Sequence, residues 1–131
     1  MSQNNLPSFP DQAQPAGLLE RARAEQEGGR HREAEALLRQ CRAEFPAFAP
    51  AAAALAELLW TLGRHEECLT AWQAVIHDFP ESLEGWWLEA MARAERRCGH
   101  LREAATLLRQ CRANFPAFAP AAAALADLLA E

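Results

Sequence analysis

The feature that most constrains this chain is an internal duplication. Residues 37–59 recur as residues 107–129, and the two segments differ only at Glu44/Asn114 and Glu57/Asp127. Self-similarity of this quality is typical of repeat proteins, in which each unit is stabilised by its neighbours. The sequence therefore predicts an array of similar units rather than one irregular core.

A divergent copy lies between the two similar segments. Three glycines and three prolines mark equivalent points, each set spaced 34 and 36 residues apart: Gly29, Gly63 and Gly99, and Pro46, Pro80 and Pro116. The middle copy thus has two extra residues between Pro80 and Gly99. We expect them either in a longer helix or in a looser entry loop.

Each unit is predicted to contain two helices. After the glycine, small and apolar residues follow at helical spacing, as in Ala34, Leu38 and Cys41. This helix ends before the proline, because proline disfavours helical backbone in the residue ahead of it. Pro50 and Pro120 then suit the first turn of the next helix, where a missing N–H costs nothing. The expected fold class is all-α.

The turn motifs carry a resemblance to a known family. GRHREA, GRHEEC and GHLREA begin at Gly29, Gly63 and Gly99 and stand in register with the prolines. This pattern resembles the tetratricopeptide repeat, a helix-turn-helix unit of about 34 residues. The resemblance covers residues 16–131 and implies an α-solenoid of about three and a half units, at 16–48, 49–82, 83–118 and 119–131. Residues 1–15 are polar, include three prolines and are predicted to form a flexible leader.

The resemblance also implies where a partner would bind. In this family, the first helix of each unit lines a concave groove that holds peptides or partner helices. By resemblance, the groove residues would be Arg23, Gln26, Glu27, Glu57, Trp60, Thr61, Trp86, Glu89, Arg93, Arg96 and Arg97. The leading interpretation is a non-catalytic bacterial scaffold or adaptor for a protein or peptide partner.

Three arginines suggest the chemistry of that partner. Arg93, Arg96 and Arg97 share one helix face by spacing, and guanidinium groups bind carboxylates through paired hydrogen bonds. An acidic partner segment would fit them. The alternative is a solvated face whose charge is balanced by Glu89 and Glu95.

Two tryptophans could anchor an interface. Indole offers a large contact area, so Trp60 and Trp86 are candidates for partner contact. The alternative for both is packing between repeats. Trp72 and Trp87 lie more clearly on apolar stripes and are expected to be buried.

The terminal helix predicts a second surface. Leu125, Leu128 and Leu129 would leave apolar side chains uncovered, each worth about 1.5–3 kcal/mol if buried. They suggest a homo-oligomer through this helix, as a dimer or a chain of protomers. Two alternative functions follow: a self-assembling structural subunit, or the docking domain of a larger bacterial enzyme such as a glycosyltransferase.

Several classes of function find no support in the sequence. A net charge of -5 argues against a nucleic-acid binder with a general basic surface. No apolar run suits membrane insertion and the N-terminus does not resemble a signal peptide, so a cytoplasmic location is expected.

Catalytic and metal-binding patterns are likewise missing from the sequence. The four cysteines form no C-x-x-C pair and are expected to be reduced. Histidines of successive turns stand too far apart to share a metal. No phosphate loop or nucleophile elbow occurs, so we expect no cofactor, no metal, no catalytic residue and no enzyme activity.

Overall fold

The computed structural model describes residues 14–130, which form seven α-helices and no strand. The helices are α1 (Pro15–Glu27), α2 (His31–Glu44), α3 (Ala49–Thr61), α4 (His65–Asp78), α5 (Gly85–Arg97), α6 (Leu101–Asn114) and α7 (Pro120–Leu129). The predicted all-α fold class of tandem helical hairpins is confirmed. Residues 1–13 of the predicted leader lie outside the described residues. The last residue of that leader, Pro15, is the first residue of α1.

A glycine turn joins the two helices of each hairpin. Gly29 has a φ of 82°, in the left-handed region that L side chains rarely adopt, and the other two turn glycines have the same conformation. The next N–H, that of Arg30, donates to the Glu25 carbonyl over 2.8 Å. This bond satisfies a carbonyl that the helix end would otherwise leave free. The glycine spacing seen in the sequence is therefore the spacing of these helix ends.

The two extra residues of the middle copy lie in a connection. Helices α1, α3 and α5 each contain 13 residues, so α5 is not lengthened. The chain between α4 and α5 instead forms a 3-10 turn at Pro80–Ser82. Of the two expected explanations, the longer entry loop is correct.

The described residues fall into two compact units, which divide between Leu58 and Leu59. In the first unit, α2 packs along α1. Leu18 and Ala22 are buried on α1, and Ala34, Leu38 and Cys41 are buried on α2. The Cys41 thiol donates to the Pro15 carbonyl at 3.6 Å. The repeat boundaries expected from the sequence stay a prediction.

In the second unit, α6 packs against both α5 and α7. One core cluster contains Ala92, Ala104, Ala105, Leu108, Leu125 and Leu128. A second contains Leu88, Cys111 and Ala121. The Cys111 thiol donates to the Gly85 carbonyl at 3.3 Å, which repeats the contact of Cys41 with Pro15 at the 70-residue offset. The α5–α6 hairpin therefore has the register of the α1–α2 hairpin.

The terminal helix corrects one expectation from the sequence. Leu125 and Leu128 are only 5% and 6% exposed, because they pack into the core cluster with α6. Leu129 is 60% exposed. The prediction that all three leucines are uncovered is wrong for Leu125 and Leu128, and self-association itself stays a prediction.

Candidate partner-binding site

The predicted groove residues all keep some accessible surface. Those of the first unit are Arg23 and Glu27, which are exposed, and Gln26 and Glu57, which are partly buried. Those of the second unit are Thr61, Arg93 and Arg97, which are exposed, and Trp60, Trp86, Glu89 and Arg96, which are partly buried. None of them belongs to the buried core, so each can contact a partner.

A cavity in the second unit gathers three of these residues. It has a volume of about 220 Å³ and lies where α5, α6 and α7 meet. Its lining residues are Glu89, Ala92, Arg93, Arg96, Ala104, Leu108, Ala124, Asp127 and Leu128. Glu89, Arg93 and Arg96 were expected at the groove, and the structure places them together at one site.

The cavity combines an apolar base with charged edges. Ala92, Ala104 and Leu108 are buried, whereas Arg93 and Asp127 are exposed. Small-molecule sites usually have volumes of roughly 300–1,000 Å³, so this cavity is small for a cofactor. Its size and lining suit one apolar side chain of a polypeptide, with polar neighbours meeting the charged edges.

Arg93 is also held against an aromatic ring. Its guanidinium carbon lies 4.6 Å from the ring centroid of Trp60, which is a cation–π distance. The Trp60 ring in turn lies 4.7 Å from that of His65. Contact through a ring face leaves guanidinium N–H groups available to donate hydrogen bonds to a carboxylate. Trp60 therefore helps to position Arg93 at the cavity.

Trp86 belongs to a different cluster. Its ring lies 5.5 Å from Trp72 and 6.3 Å from Trp87 by centroid distance, and its indole N–H donates to Glu84 Oε1 at 2.8 Å. Trp72 and Trp87 are buried as predicted, at 1% and 3% exposure. For Trp86, the packing alternative describes its contacts, since Trp86 does not line the cavity.

The structure separates the charges expected to balance the arginines. Glu95 is only 5% exposed, and its Oε1 lies 2.7 Å from His100 Nδ1 in the following turn. Glu89, in contrast, lines the cavity beside Arg93 and Arg96. Arg97 is exposed and lies outside the cavity lining. The local balance is thus set by Glu89 and Asp127 rather than by Glu95.

Sequence reasoning missed Asp127, which lines the cavity. Asp127 is the duplicate of Glu57, which was expected at the groove, so the 70-residue offset was the signal that identifies it. The spacing of the turn glycines and this offset place four charged residues at the same repeat position. They are Arg23, Glu57, Arg93 and Asp127. The sign of charge at this position therefore alternates along the chain. Leu128, expected in self-association, also lines the cavity.

The remaining chemistry of the described residues is sparse. No group of three or more histidine, cysteine or acidic side chains within residues 14–130 is arranged to hold a metal. All four cysteines are free, and burial raises the pKa of the Cys68 thiol to about 11. A second cavity, of about 340 Å³, includes Arg102 and Leu107 but no residue predicted for the groove. Within residues 14–130, every helix is too short or too polar to span a bilayer.

Comparison with known proteins places the chain in a family. The model of the tetratricopeptide repeat family matches residues 25–94, more than half of the sequence. The chain belongs to the tetratricopeptide repeat family, and the resemblance seen in its turn motifs is confirmed. No curated protein sequence matches it.

Solved structures agree on the fold. A tetratricopeptide repeat protein from Parabacteroides merdae matches with a TM-score of 0.78 at 17% identity, over 87% of this chain and 45% of its own. A thermophilic tetratricopeptide repeat protein from Thermus thermophilus matches with a TM-score of 0.68 at 16% identity, over 89% of this chain and 61% of its own. A putative kinesin light chain of Podospora anserina with nearly identical repeats matches with a TM-score of 0.62 at 24% identity, over 84% of this chain and 56% of its own. The chain therefore spans about half the length of these proteins, and they support the helical repeat fold.

Proposed function

We propose that this chain is a non-catalytic scaffold that binds a partner polypeptide at the α5–α7 cavity. Proteins of the tetratricopeptide repeat family generally serve protein–protein interaction, and this coarse role follows from the family. The observation that carries the finer proposal is the apolar cavity edged by Arg93 and Arg96. A single apolar side chain would fill it.

The charges around the cavity favour an acidic partner segment. Arg93 and Arg96 line the cavity together with Glu89 and Asp127, whereas Glu95 pairs with His100. The exposed Arg97 adds a third guanidinium group to the same helix, outside the lining. A carboxylate beside the apolar anchor would meet the guanidinium groups, and charge-assisted hydrogen bonds of this kind are roughly twice as strong as neutral ones.

Other features predicted from the sequence remain proposals of the same kind. A cytoplasmic location, a bacterial source and a homo-oligomer formed through α7 stay predictions, as do the alternatives of a docking domain and a structural subunit. The homo-oligomer would depend on Leu129, the exposed leucine of α7.

The proposal is tested by selecting binders from a displayed library of random peptides. We expect the selected peptides to share an apolar residue next to an acidic one. The double variant Arg93→Glu, Arg96→Glu should weaken the best peptide by about tenfold or more, equivalent to about 1.4 kcal/mol. The matched control is Arg109→Glu, Arg112→Glu, which reverses two exposed arginines of α6.

Two results would contradict the proposal. One is equal binding by the cavity variant and the control variant. The other is a selected peptide set without acidic residues, since that would remove the role assigned to the arginines. A fall in affinity with added salt is expected as well, because exposed charge pairs are screened.

A further inference from the structure

A second cavity lies between α5 and α6, on a different side of both helices from the cavity described above. It has a volume of about 340 Å³, and its lining residues are Met91, Glu95, Arg102, Glu103, Thr106 and Leu107. The two cavities share no lining residue. Small-molecule sites usually have volumes of roughly 300–1,000 Å³, and this cavity falls within that range. We call it the Glu95 cavity.

The carboxylate of Glu95 is the unusual group in this lining. Among residues 14–130, Glu95 is the one charged residue that is buried, at 5% exposure. Removal of a carboxylate from water is costly unless its oxygens accept hydrogen bonds. Glu95 Oε1 accepts from Nδ1 of His100 over 2.7 Å. A carboxylate has about four acceptor sites, so this single bond leaves most of them for a donor inside the cavity.

The equivalent carboxylate of the first hairpin has a stronger partner. Glu25 stands four residues before its turn glycine, as Glu95 does, and Nε of Arg30 donates to it. The guanidinium group has a permanent charge and five N–H donors, whereas Nδ1 of an imidazole offers one. Because His100 stands in place of the arginine, Glu95 keeps more of its hydrogen-bonding capacity for another cation.

The other lining residues add acceptors and an apolar surface. Met91 and Leu107 are partly buried and provide the apolar surface. The Thr106 hydroxyl donates to the Arg102 carbonyl at 3.0 Å, which leaves the hydroxyl oxygen as an acceptor. Glu103 supplies a second carboxylate, and the exposed guanidinium of Arg102 is the one cationic group of the lining. The cavity therefore suits a ligand that is both apolar and rich in hydrogen-bond donors.

We infer that the Glu95 cavity binds a small organic cation, of the class of primary amines that carry one apolar group. The ammonium group donates to the carboxylates of Glu95 and Glu103, and the apolar group lies against Met91 and Leu107. The lining has two carboxylates against one guanidinium, so its charge favours a cation. This ligand class differs from the acidic polypeptide proposed for the first cavity, and the inference does not depend on that proposal.

The duplicated hairpin provides an internal control. At the 70-residue offset, Met91 and Thr106 correspond to Arg21 and Ala36, whereas the other four lining positions have identical residues. Arg21 thus places a cation where the Glu95 cavity has an apolar side chain. The α1–α2 hairpin is not expected to bind the amine, so its glutamates serve as matched control positions.

Phenethylamine is the probe, because it carries one ammonium group on an apolar body. Its binding to the full 131-residue chain is measured at neutral pH by ligand-observed NMR titration. We expect saturable binding. Phenethyl alcohol has a similar shape without the charge and should bind at least about tenfold more weakly, equivalent to about 1.4 kcal/mol. Phenylacetate, which is an anion, should not bind.

Matched variants assign the amine to this cavity. Glu95→Gln keeps an oxygen that accepts from His100 but removes the charge, so it should weaken phenethylamine by about tenfold, since hydrogen bonds to charged groups are roughly twice as strong. Glu103→Gln changes an exposed carboxylate and should weaken it by about threefold. Glu25→Gln and Glu33→Gln, at the same positions of the first hairpin, should leave the dissociation constant unchanged.

Circular dichroism checks that each variant is folded. If Glu95→Gln does not fold, Met91→Arg replaces it in the test; this change introduces the residue of the first hairpin and should abolish binding. Three results would overturn the inference. They are the absence of saturable binding, equal affinity for phenethylamine and phenethyl alcohol, and binding that neither Glu95→Gln nor Met91→Arg weakens.

Discussion

Helices α3 and α7 have nearly the same sequence but different surroundings. One face is buried alike in both: Ala51 and Ala121 are 0% exposed, Leu55 and Leu125 are 5%, and Leu58 and Leu128 are 0% and 6%. The other face differs. Leu59 is 3% exposed, whereas its duplicate Leu129 is 60% exposed.

This difference shows that neighbours, and not the residues themselves, decide the burial of a repeated position. A helix that is apolar on all sides is normally buried on all sides. Helix α3 meets that expectation. Helix α7 does not, because one of its apolar faces is exposed to solvent. Such faces mark interaction surfaces when they are contiguous.

The largest expected effect compares the two leucines directly. Leu59→Ala should lower the free energy of unfolding by about 2–5 kcal/mol, because it leaves a cavity in a packed site. Leu129→Ala should change it by less than about 0.5 kcal/mol, as exposed positions usually do. Urea denaturation monitored by circular dichroism measures both, and equal losses would contradict the comparison.

A smaller effect is expected from enlarging the duplicated alanines. Ala56 is 0% exposed, so Ala56→Leu should destabilise the chain by about 1–3 kcal/mol through overpacking. Ala126→Leu adds the same atoms on the exposed face of α7 and should be close to neutral. The same denaturation experiment checks this pair, and a destabilising Ala126→Leu would mean that the face is covered.

The ends of the two helices predict a further difference. In the last turn of α3, Trp60 lies against Arg93, whereas the duplicate position, directly after α7, is Ala130. A double-mutant cycle with Trp60→Leu and Arg93→Met should give a coupling of about 0.5–1 kcal/mol, typical of an exposed cation–π pair. Additive effects of the two changes would show that the contact does not hold Arg93 in place.

The last prediction concerns the pH dependence of stability that the cysteine thiols produce. The chain has no tyrosine, and all 13 basic residues are arginine, so cysteines are the side chains that titrate between about pH 8 and 11. Burial raises the pKa of Cys68 from 9.0 to about 11 and also raises the pKa of Cys41 and Cys111.

The folded state binds these thiol protons more tightly than the unfolded state does. The stabilisation that this difference provides is fully present below pH 9. It is lost as the pH rises from 9 towards 11. Tm should fall across this window, and Cys68→Ala should reduce the fall. A Tm that stays constant, or a fall that Cys68→Ala leaves unchanged, would contradict the assignment.

The fold was readable from the sequence because its signals are local. The turn glycines, the prolines and the helical spacing of residues such as Leu38 each act within a few residues of chain. The cavity was only partly readable, because it depends on which residues of α7 come beside Arg93. Likewise, both stripes of α7 are apolar, so periodicity alone could not separate the buried Leu128 from the exposed Leu129.

Thiol labelling at the two duplicated leucines tests the central claim most directly. Leu59→Cys and Leu129→Cys are introduced separately, with the partly exposed Cys98 changed to serine in both chains. The account predicts that position 129 reacts at the rate of an open thiol, whereas position 59 reacts about 100-fold more slowly because it must wait for local opening. Similar rates at the two positions would contradict the claim that neighbouring helices decide the burial of a repeated sequence.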